Sequence, residues 1–213
     1  MVQAYFGNLR SYDDLGLTLT KAVISSAEPK RMLVDVPGMN GQLEMSGAVA
    51  QDIKFKNRKL TMDFTMKDYQ KNWTENFSRI NNAVHGKHFR ITLDNDPRYY
   101  WEGLCTVSRS EDDRNKGEVE VIADVYPYKH RDIRIQIESA ETETELICPC
   151  GRESVWPVVT TDGNITITME DETQIQYDAG TWQKRDLMFT EGPNLITVSG
   201  EASVTIEYKE GVL

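Results

Sequence analysis

The chain has 213 residues, of which 39% are hydrophobic and 27% are charged, a composition typical of a globular protein that buries a core. No apolar run approaches the roughly 18 residues of a membrane-spanning helix, so we expect no membrane span. The formal net charge of −10 disfavours specific nucleic-acid binding, because phosphate recognition needs clustered Lys and Arg.

The net charge is confined to the last part of the chain. Residues 1–130 contain 18 basic and 18 acidic side chains, whereas residues 131–213 contain 6 basic and 16 acidic ones. Such asymmetry indicates two domains with different surroundings. We therefore predict a first domain over residues 1–130 and an acidic second domain over residues 131–213, with the boundary near the sequence YPYKHRD.

The first domain is predicted to consist mainly of β-strands. Its segments are rich in β-branched and aromatic residues, and several alternate apolar with polar residues. In KLTMDFTMK, the residues Leu60, Met62, Phe64 and Met66 alternate with polar ones and should cover the core face of a sheet. The predicted strands are YFGNL, LTLTKAVIS, RMLVDV, KLTMDFTMK, HFRITLD, WEGLCTVSR and GEVEVIADVYPY.

One α-helix is predicted over residues 68–85. Its apolar residues recur at spacings of four, three and four, which places them on one face that should pack against the sheet. Asp68 is predicted to cap the start of the helix and Gly86 to end it. The apolar residues are Trp73, Phe77, Ile80 and Val84.

The second domain is predicted to be a galectin-like or jelly-roll β-sandwich, because it contains many short strands separated by turn residues. Asp162-Gly163 between two of these strands predicts a hairpin turn. The predicted strands are IRIQIES, TELICPC, VWPVVTT, NITITME, TQIQYD, DLMFTEG, NLITVSG and SVTIEYKE.

The cellular compartment can also be predicted. The N-terminal sequence MVQAYFGNLRSYDD lacks the basic region and apolar run of a secretory signal, and three cysteines are too few for a disulfide framework. We expect a protein that is made and folded in a reducing cytoplasm.

Candidate metal ligands are few. Cys148 and Cys150 are close enough to share a metal, but structural zinc needs four ligands and no second Cys or His pair follows. His85 and His88 are separated by Gly86, so their rings need not converge. We interpret these residues as structural and predict no metal and no cofactor.

Candidate catalytic groups are equally scarce. Glu170, Asp171 and Glu172 are consecutive and should form a solvated hairpin tip, whereas glycoside hydrolysis needs two carboxylates on opposite sides of a sugar. The DNDP segment lacks the glycine and the glutamate of a calcium loop. No phosphate-binding glycine motif and no nucleophile elbow occurs in the sequence. We predict that the protein is not an enzyme.

Three aromatic residues of the second domain suggest an alternative function. Trp156, Tyr177 and Trp182 would suit a platform for a sugar ring, since aromatic faces complement the apolar side of carbohydrates. Core packing explains the same residues equally well. A carbohydrate-binding accessory module therefore stays open as an alternative.

The sequence VDVPGMNGQLE contains a rigid loop. Pro37 fixes φ and Gly38 permits a positive φ, as a type II turn requires, and Gly41 allows a second reversal before QLEMSG. A preorganised loop loses little entropy when another molecule docks on it. This suits a component that packs against copies of itself.

Three blocks of sequence, in this order, resemble the distal tail protein family of long-tailed bacteriophages and related prophages. They are VDVPGMNGQLEMS, IKFKNRKLTMDFTM and a helix ending in INNAVHGKHFRITLDNDPRYYWEG. The end of the chain, PNLITVSGEASVTIEYKEGVL, is similar to the close of the galectin-like or jelly-roll domain that many members carry. Met39 and Asn40 depart from the family pattern, which often has a basic and then an acidic residue there, whereas Pro37, Gly38 and Gly41 match it.

The resemblance implies a structural protein of the virion tail. Family members form a hexameric ring at the distal end of the tail tube, with the first domains in the ring and the second domains projecting outward. The ring joins the tube protein to the tail proteins of the host-adsorption apparatus, and DNA passes through its channel without specific binding. Assembly in the bacterial host cytoplasm is implied as well.

Closing a ring requires two complementary patches on each subunit. We expect the segment Ile53–Met66 to lie at or near one of these contacts. The loop residues predicted to make an oligomer contact are Pro37, Gly38, Met39, Asn40 and Gly41.

Overall fold

The computed structural model of the protein describes residues 2–46, 53–66, 73–113, 116–138 and 143–213. The chain divides into two compact units, Met1–Pro127 and Tyr128–Leu213. The described part is mainly β-strand in antiparallel sheets, with a single described helix, which confirms the predicted fold class.

The first unit is built on one large antiparallel sheet. Its described elements are β1 (Ala4–Phe6), β2 (Leu9–Arg10), β3 (Leu17–Ile24), β4 (Leu33–Asp35), β5 (Gln42–Glu44), β6 (Arg58–Met66), α1 (Trp73–Val84), β7 (Lys87–Leu93), β8 (Trp101–Asp113) and β9 (Lys116–Val125). Seven strands form the sheet, in the order β2-β1-β7-β8-β9-β6-β3. Among the described strands, β4 pairs only with β5, in a separate two-stranded sheet.

The core of the first unit lies on one face of the seven-stranded sheet. In β6 the predicted core residues Leu60, Met62, Phe64 and Met66 are all at most 3% exposed, which confirms the alternation seen in the sequence. Because the side-chain period of a strand is two, this burial also fixes the register of β6 against its neighbours β3 and β9.

Helix α1 packs against this apolar face, as predicted. Ile80 and Val84 are fully buried, and Gly86 has φ +72°, the left-handed conformation that commonly ends a helix. The predicted cap Asp68 lies outside the described residues. The residues that join the core are Trp73, Phe77, Ile80 and Val84.

The start of the chain differs from the prediction of one strand over YFGNL. Gly7 has φ +61° and reverses the chain, so β1 and β2 form a tight hairpin with Tyr5 opposite Arg10. The Gly7 amide donates a hydrogen bond to the Arg90 carbonyl at 2.7 Å. The prediction of a single strand was wrong because glycine adopts a positive φ readily, which outweighs the β-propensity of its neighbours.

The second unit is a β-sandwich. Its strands are β10 (Lys129–Ile137), β11 (Thr144–Cys150), β12 (Val158–Thr161), β13 (Ile165–Met169), β14 (Gln174–Tyr177), β15 (Gly180–Trp182), β16 (Gly192–Ser199) and β17 (Val204–Val212). They form two four-stranded sheets, β10-β17-β12-β15 and β11-β16-β13-β14, around one core to which Ile167, Val198 and Ile206 contribute fully buried side chains.

The eight strands of the second unit form four nested antiparallel pairs. β13 pairs with β14, β12 with β15, β11 with β16 and β10 with β17, so each pair encloses the previous one. Nested pairs shared between two sheets are the connectivity of a jelly roll. The sandwich expected from the sequence is therefore present.

The predicted hairpin turn at Asp162-Gly163 was wrong. The strands on either side of it, β12 and β13, lie in different sheets, and neither turn residue has the positive φ that a type I′ turn requires. The Asp162 carboxylate accepts a hydrogen bond from the Ser203 amide at 2.7 Å, and a Cβ on Gly163 would lie 3.0 Å from that of Ala202. The turn thus carries the chain across the sandwich, and the glycine permits close packing there.

The segment DLMFTEG does not form the predicted strand either. Leu187 and Phe189 are fully buried, but only Phe189 makes a β-type bridge, to Val155. The Asn194 side chain bonds the amide and the carbonyl of Thr190, which satisfies backbone groups that a strand would otherwise pair. The apolar residues therefore fill the core from a loop.

The turn between β13 and β14 holds Glu172 at φ +66°, a conformation that no other described non-glycine residue adopts. The Asp171 carboxylate accepts a hydrogen bond from the Thr173 amide at 3.0 Å, and this bond lowers the pKa of Asp171 below its ordinary value. Glu170, Asp171 and Glu172 are exposed, which confirms the predicted solvated hairpin tip.

Replacing Glu172 with glycine should stabilise the second unit. A side chain in the left-handed region is strained and glycine is not, so Glu172→Gly should raise the free energy of unfolding by about 0.5–1 kcal/mol. Differential scanning calorimetry measures the change. Glu170→Gly, at a turn position with negative φ, is the matched control and should lower stability; equal destabilisation by both substitutions would contradict the positive φ of Glu172.

Candidate functional site

The first unit carries a hairpin that lies outside its core. Past the ends of β3 and β6 the ladder continues, with the Ser25 amide donating to the Lys59 carbonyl at 2.9 Å and the Lys30 amide donating to the Lys54 carbonyl at 2.7 Å. Beyond this extension lie β4, β5, the connecting residues 36–41 and the flanking pair Met32 and Met45, whose backbones are hydrogen-bonded at 2.8 Å. Together we call residues 32–45 the arm hairpin. No residue of the arm hairpin belongs to the hydrophobic core.

The tip of the arm hairpin contains the predicted type II turn. The Met39 amide donates a hydrogen bond to the Val36 carbonyl at 3.1 Å, and Gly38 at the third turn position has φ +83°. Gly41 also has a positive φ, +81°. The local prediction from Pro37 and the two glycines is thus confirmed, whereas the oligomer contact predicted for these residues stays a prediction.

The two faces of the arm hairpin differ in polarity. On one face Leu33 lies opposite Glu44 and Asp35 lies opposite Gln42, whose side-chain amide donates to the Asp35 carboxylate at 3.0 Å. The other face, which we call the apolar face, carries only apolar side chains at the positions that alternate with these. It consists of Met32, Val34, Val36, Leu43 and Met45.

Three of the five side chains of the apolar face are exposed, and Val34 and Met45 are partly buried. Met32 is 52% exposed, Leu43 is 43% exposed and Val36 is 39% exposed, and Met39 at the tip is 48% exposed. An isolated two-stranded hairpin is only marginally stable in water, and contiguous exposed apolar surface marks an interaction site. The apolar face is therefore a candidate interaction surface.

The second predicted contact segment, Ile53–Met66, is not one strand. Ile53 is 47% exposed, Phe55 makes an isolated bridge to Pro29, and β6 begins only at Arg58. The first part of the segment belongs to the extension that leads to the arm hairpin, and the second part belongs to the sheet. Its role in a contact stays a prediction.

The three cysteines are free thiols in the two cores. Burial raises the pKa of Cys105 to about 12 and that of Cys148 to about 11. Burial, with the nearby carboxylates of Glu210 and Glu153, raises the pKa of Cys150 to about 11. Since the thiolate is both the nucleophile and the metal ligand, a raised pKa disfavours both roles at neutral pH. Within the described ranges, no group of three or more His, Cys, Asp or Glu side chains could hold a metal ion.

Thiol-specific reagents should test this burial. At pH 8 a group with a pKa of about 11 is thiolate in only about one molecule in a thousand, so Cys148 and Cys150 should react far more slowly with a disulfide reagent than an exposed thiol does. The rate should rise about tenfold per pH unit up to pH 10. Denatured protein is the control and should release three equivalents at once; a rapid native burst would contradict the buried placement.

The three predicted aromatic residues do not share a surface. Tyr177 is 1% exposed, and burial raises its pKa to about 12. Trp182 is 42% exposed, but the Lys184 ammonium lies beside both rings, 4.5 Å from the ring centroid of Tyr177 and 5.9 Å from that of Trp182. Trp156 lines a groove to which neither of the other two contributes.

This groove, which we call the Trp156 groove, has a volume of about 760 Å³ and lies on the outer face of β10, β17 and β12. Cross-strand register places Arg134 opposite Glu207 and Asp132 opposite Lys209. The Arg134 guanidinium lies 3.3 Å from the Glu207 carboxylate. The groove thus has paired charges of both signs along its floor.

The indole of Trp156 is held at the side of the groove. Its Nε1 donates a hydrogen bond to the Arg185 carbonyl at 3.2 Å, and the Gln183 side-chain amide donates to the Trp156 carbonyl at 2.8 Å. The side chain remains 45% exposed. These bonds fix the ring at its edge and leave much of its face accessible.

Sequence reasoning missed both the apolar face and the charged floor of the groove. The alternation of Met32, Val34 and Val36 within RMLVDV carried a signal for the former. The floor carried none, because Arg134 and Glu207 meet only through the pairing of β10 with β17. No helix in the described part of the chain is long and apolar enough to cross a membrane.

No family model and no curated protein matches the sequence. Among solved structures, the chain is similar to the Dit protein (gp 19.1) of SPP1, a paradigm of the hub adsorption apparatus in phages that infect Gram-positive bacteria. The two chains are 9% identical, and the match covers 98% of this chain and 99% of that chain with a TM-score of 0.68. At this identity the similarity shows a shared fold.

A second solved structure is a conserved protein of unknown function, PA5104, from Pseudomonas aeruginosa PAO1. It is 11% identical over 90% of this chain and 100% of that chain, with a TM-score of 0.27. That score is too low to indicate a shared fold.

Proposed function

We propose that the protein is a structural component of a bacteriophage tail, of the distal tail hub type. The observation that carries this proposal is the fold shared with the SPP1 Dit protein over almost the whole of both chains. Because one fold can host unrelated functions, a second line of support is needed. The arm hairpin supplies it, since an exposed apolar face suits a subunit of an assembly better than a monomer.

The proposal includes a ring of six copies at the distal end of the tail tube, formed by the first units. Its partners are the tail tube protein and the tail proteins of the host-adsorption apparatus, and DNA passes through the channel without specific binding. Assembly takes place in the bacterial host cytoplasm, and the protein resides in the virion tail. Its role is structural, without catalysis or a cofactor.

The arm hairpin is proposed to make one of the contacts that close the ring. A head-to-tail ring needs two different patches on each subunit, and the apolar face supplies one of them. Full burial of a Leu, Val or Met side chain stabilises a contact by about 1.5–3 kcal/mol. Several such side chains on one hairpin would therefore contribute to the contact, with the turn from Pro37 to Gly41 at its tip.

The alternative, a carbohydrate-binding accessory module that uses Trp156, Tyr177 and Trp182, lacks a shared aromatic surface. Tyr177 lies in the core, and Lys184 lies beside both its ring and that of Trp182. The alternative as a three-residue platform is therefore less well supported than the tail hub.

Substitutions on opposite faces of the arm hairpin test the proposed contact. Leu43→Asp places a charge on the apolar face and should weaken self-association at least about tenfold, because the charge would lose its hydration in the contact. Leu33→Asp is the matched control, since Leu33 is 47% exposed, Leu43 is 43% exposed and the two lie on opposite faces. Sedimentation velocity over a wide concentration range, with negative-stain images of the heaviest species, provides the measurement.

Three outcomes of this experiment are distinguishable. Closed rings for the wild type and Leu33→Asp, but not for Leu43→Asp, would support the proposal. Rings that persist unchanged in Leu43→Asp would show that the apolar face is not a ring contact. A wild-type monomer at every concentration would count against self-assembly of the protein alone.

A further inference from the structure

The Trp156 groove combines an aromatic side wall with ordered rows of polar side chains on a sheet. Across the three strands, Arg134, Glu207 and Val158 form one row. Asp132 and Lys209 form the next row. Trp156, which precedes β12, also lines the groove. Rows two residues apart are separated by about 6.8 Å along the strand.

We propose that the Trp156 groove binds a neutral saccharide, with a sugar ring against the exposed face of the Trp156 indole and its hydroxyl groups on the charged rows. The apolar face of a pyranose complements an aromatic ring, and each hydroxyl both donates and accepts hydrogen bonds. Carboxylates that only accept, Asp132 and Glu207, alternate on the floor with cations that only donate. A sugar hydroxyl that lies between a carboxylate and a cation donates a hydrogen bond to the carboxylate and accepts one from the cation.

The charge pairs of the floor are not explained by stability. The side chains of Arg134 and Glu207 are 61% and 48% exposed, and a solvent-exposed ion pair contributes at most about 1 kcal/mol. Because these groups remain partly exposed, their free lone pairs and N–H groups are accessible to a ligand. The floor is therefore suited to polyhydroxylated ligands.

The charge balance argues against an anionic ligand. The two rows carry two acidic and two basic side chains, and Glu153 adds a further acidic group beside His130. The rest of the second unit is acidic as well, so its field repels phosphate or sulfate groups. Neutral sugars experience no such repulsion.

An extended peptide is also a poor fit. Strand addition requires an unpaired sheet edge. β10 is an edge strand of this sheet, but β17, which carries Glu207 and Lys209, pairs with β10 on one side and β12 on the other and offers no such edge. The volume of about 760 Å³ falls within the range of small-ligand sites. A short oligosaccharide therefore matches both the size and the chemistry of the groove.

The inference does not rest on ring formation, because all residues that carry it belong to the second unit. The full chain is tested on an array of neutral oligosaccharides, two to six sugars long, that covers the common hexoses, N-acetylhexosamines and deoxyhexoses. Sulfated and phosphorylated glycans share the array. Retained glycans are then titrated by calorimetry.

Matched variants make the test specific. Trp156→Ala should lose at least about tenfold in affinity for the retained glycan, as expected when a central aromatic anchor is truncated. Trp182→Ala removes a tryptophan of similar exposure outside the groove and should bind as the wild type does. Glu207→Gln keeps the shape of the floor, removes an acceptor charge and should weaken binding. Trp156→Phe keeps an aromatic face and should retain most of the affinity for the glycan. Its binding would show that a substitution at position 156 does not abolish binding by unfolding the protein.

The inference is overturned if no neutral glycan is retained, if only sulfated or phosphorylated glycans are retained, or if Trp156→Ala binds like the wild type. Sedimentation velocity on Trp156→Ala distinguishes this result from failure of the tail hub proposal. The variant should assemble as the wild type does, whereas Leu43→Asp should assemble poorly and still bind the glycan.

Discussion

Side chains alternate between the two faces of a β-strand, and this period of two determines which residues of each described strand reach the core and which reach the surface. In β6 it buries Leu60 and Met62, and in β17 it sends Ile206 to the core and Glu207 to the groove. A slip of one residue would exchange these faces, so the two cores hold the register. The same alternation gives the arm hairpin one polar and one apolar face, although none of its residues belongs to the described core.

Patterns among residues close in sequence explain why much of the fold was predictable. Alternation in KLTMDFTMK identified the buried face of β6, and the spacing of Trp73, Phe77 and Ile80 identified the face of α1, because both patterns are local. The turn at Gly38 was predictable for the same reason, since one residue with a positive φ determines it. Sequence patterns predicted the structure correctly where residues close in sequence determine it.

The failures share a different cause. Asp162-Gly163 has hairpin composition, yet Ser203 and Ala202, some 40 residues away, determine what that turn does. The core position of Tyr177 was equally hidden from local patterns, because that core is assembled from both sheets. The groove floor depends on the pairing of Arg134 with Glu207, which no local pattern reveals. Composition therefore indicated which residue types each segment contains, whereas pairing between distant strands determined which residues lie next to each other.

The nested pairing of the sandwich has a consequence for how it folds. The entropy cost of closing a loop grows with its length, so β13 and β14 meet most readily and β10 and β17 least readily. β17 lies between β10 and β12 and is translated last of the eight strands. Until it arrives, its two neighbours have unpaired edges that can recruit other chains. We therefore expect the second unit to be most vulnerable to aggregation while β17 is still unpaired.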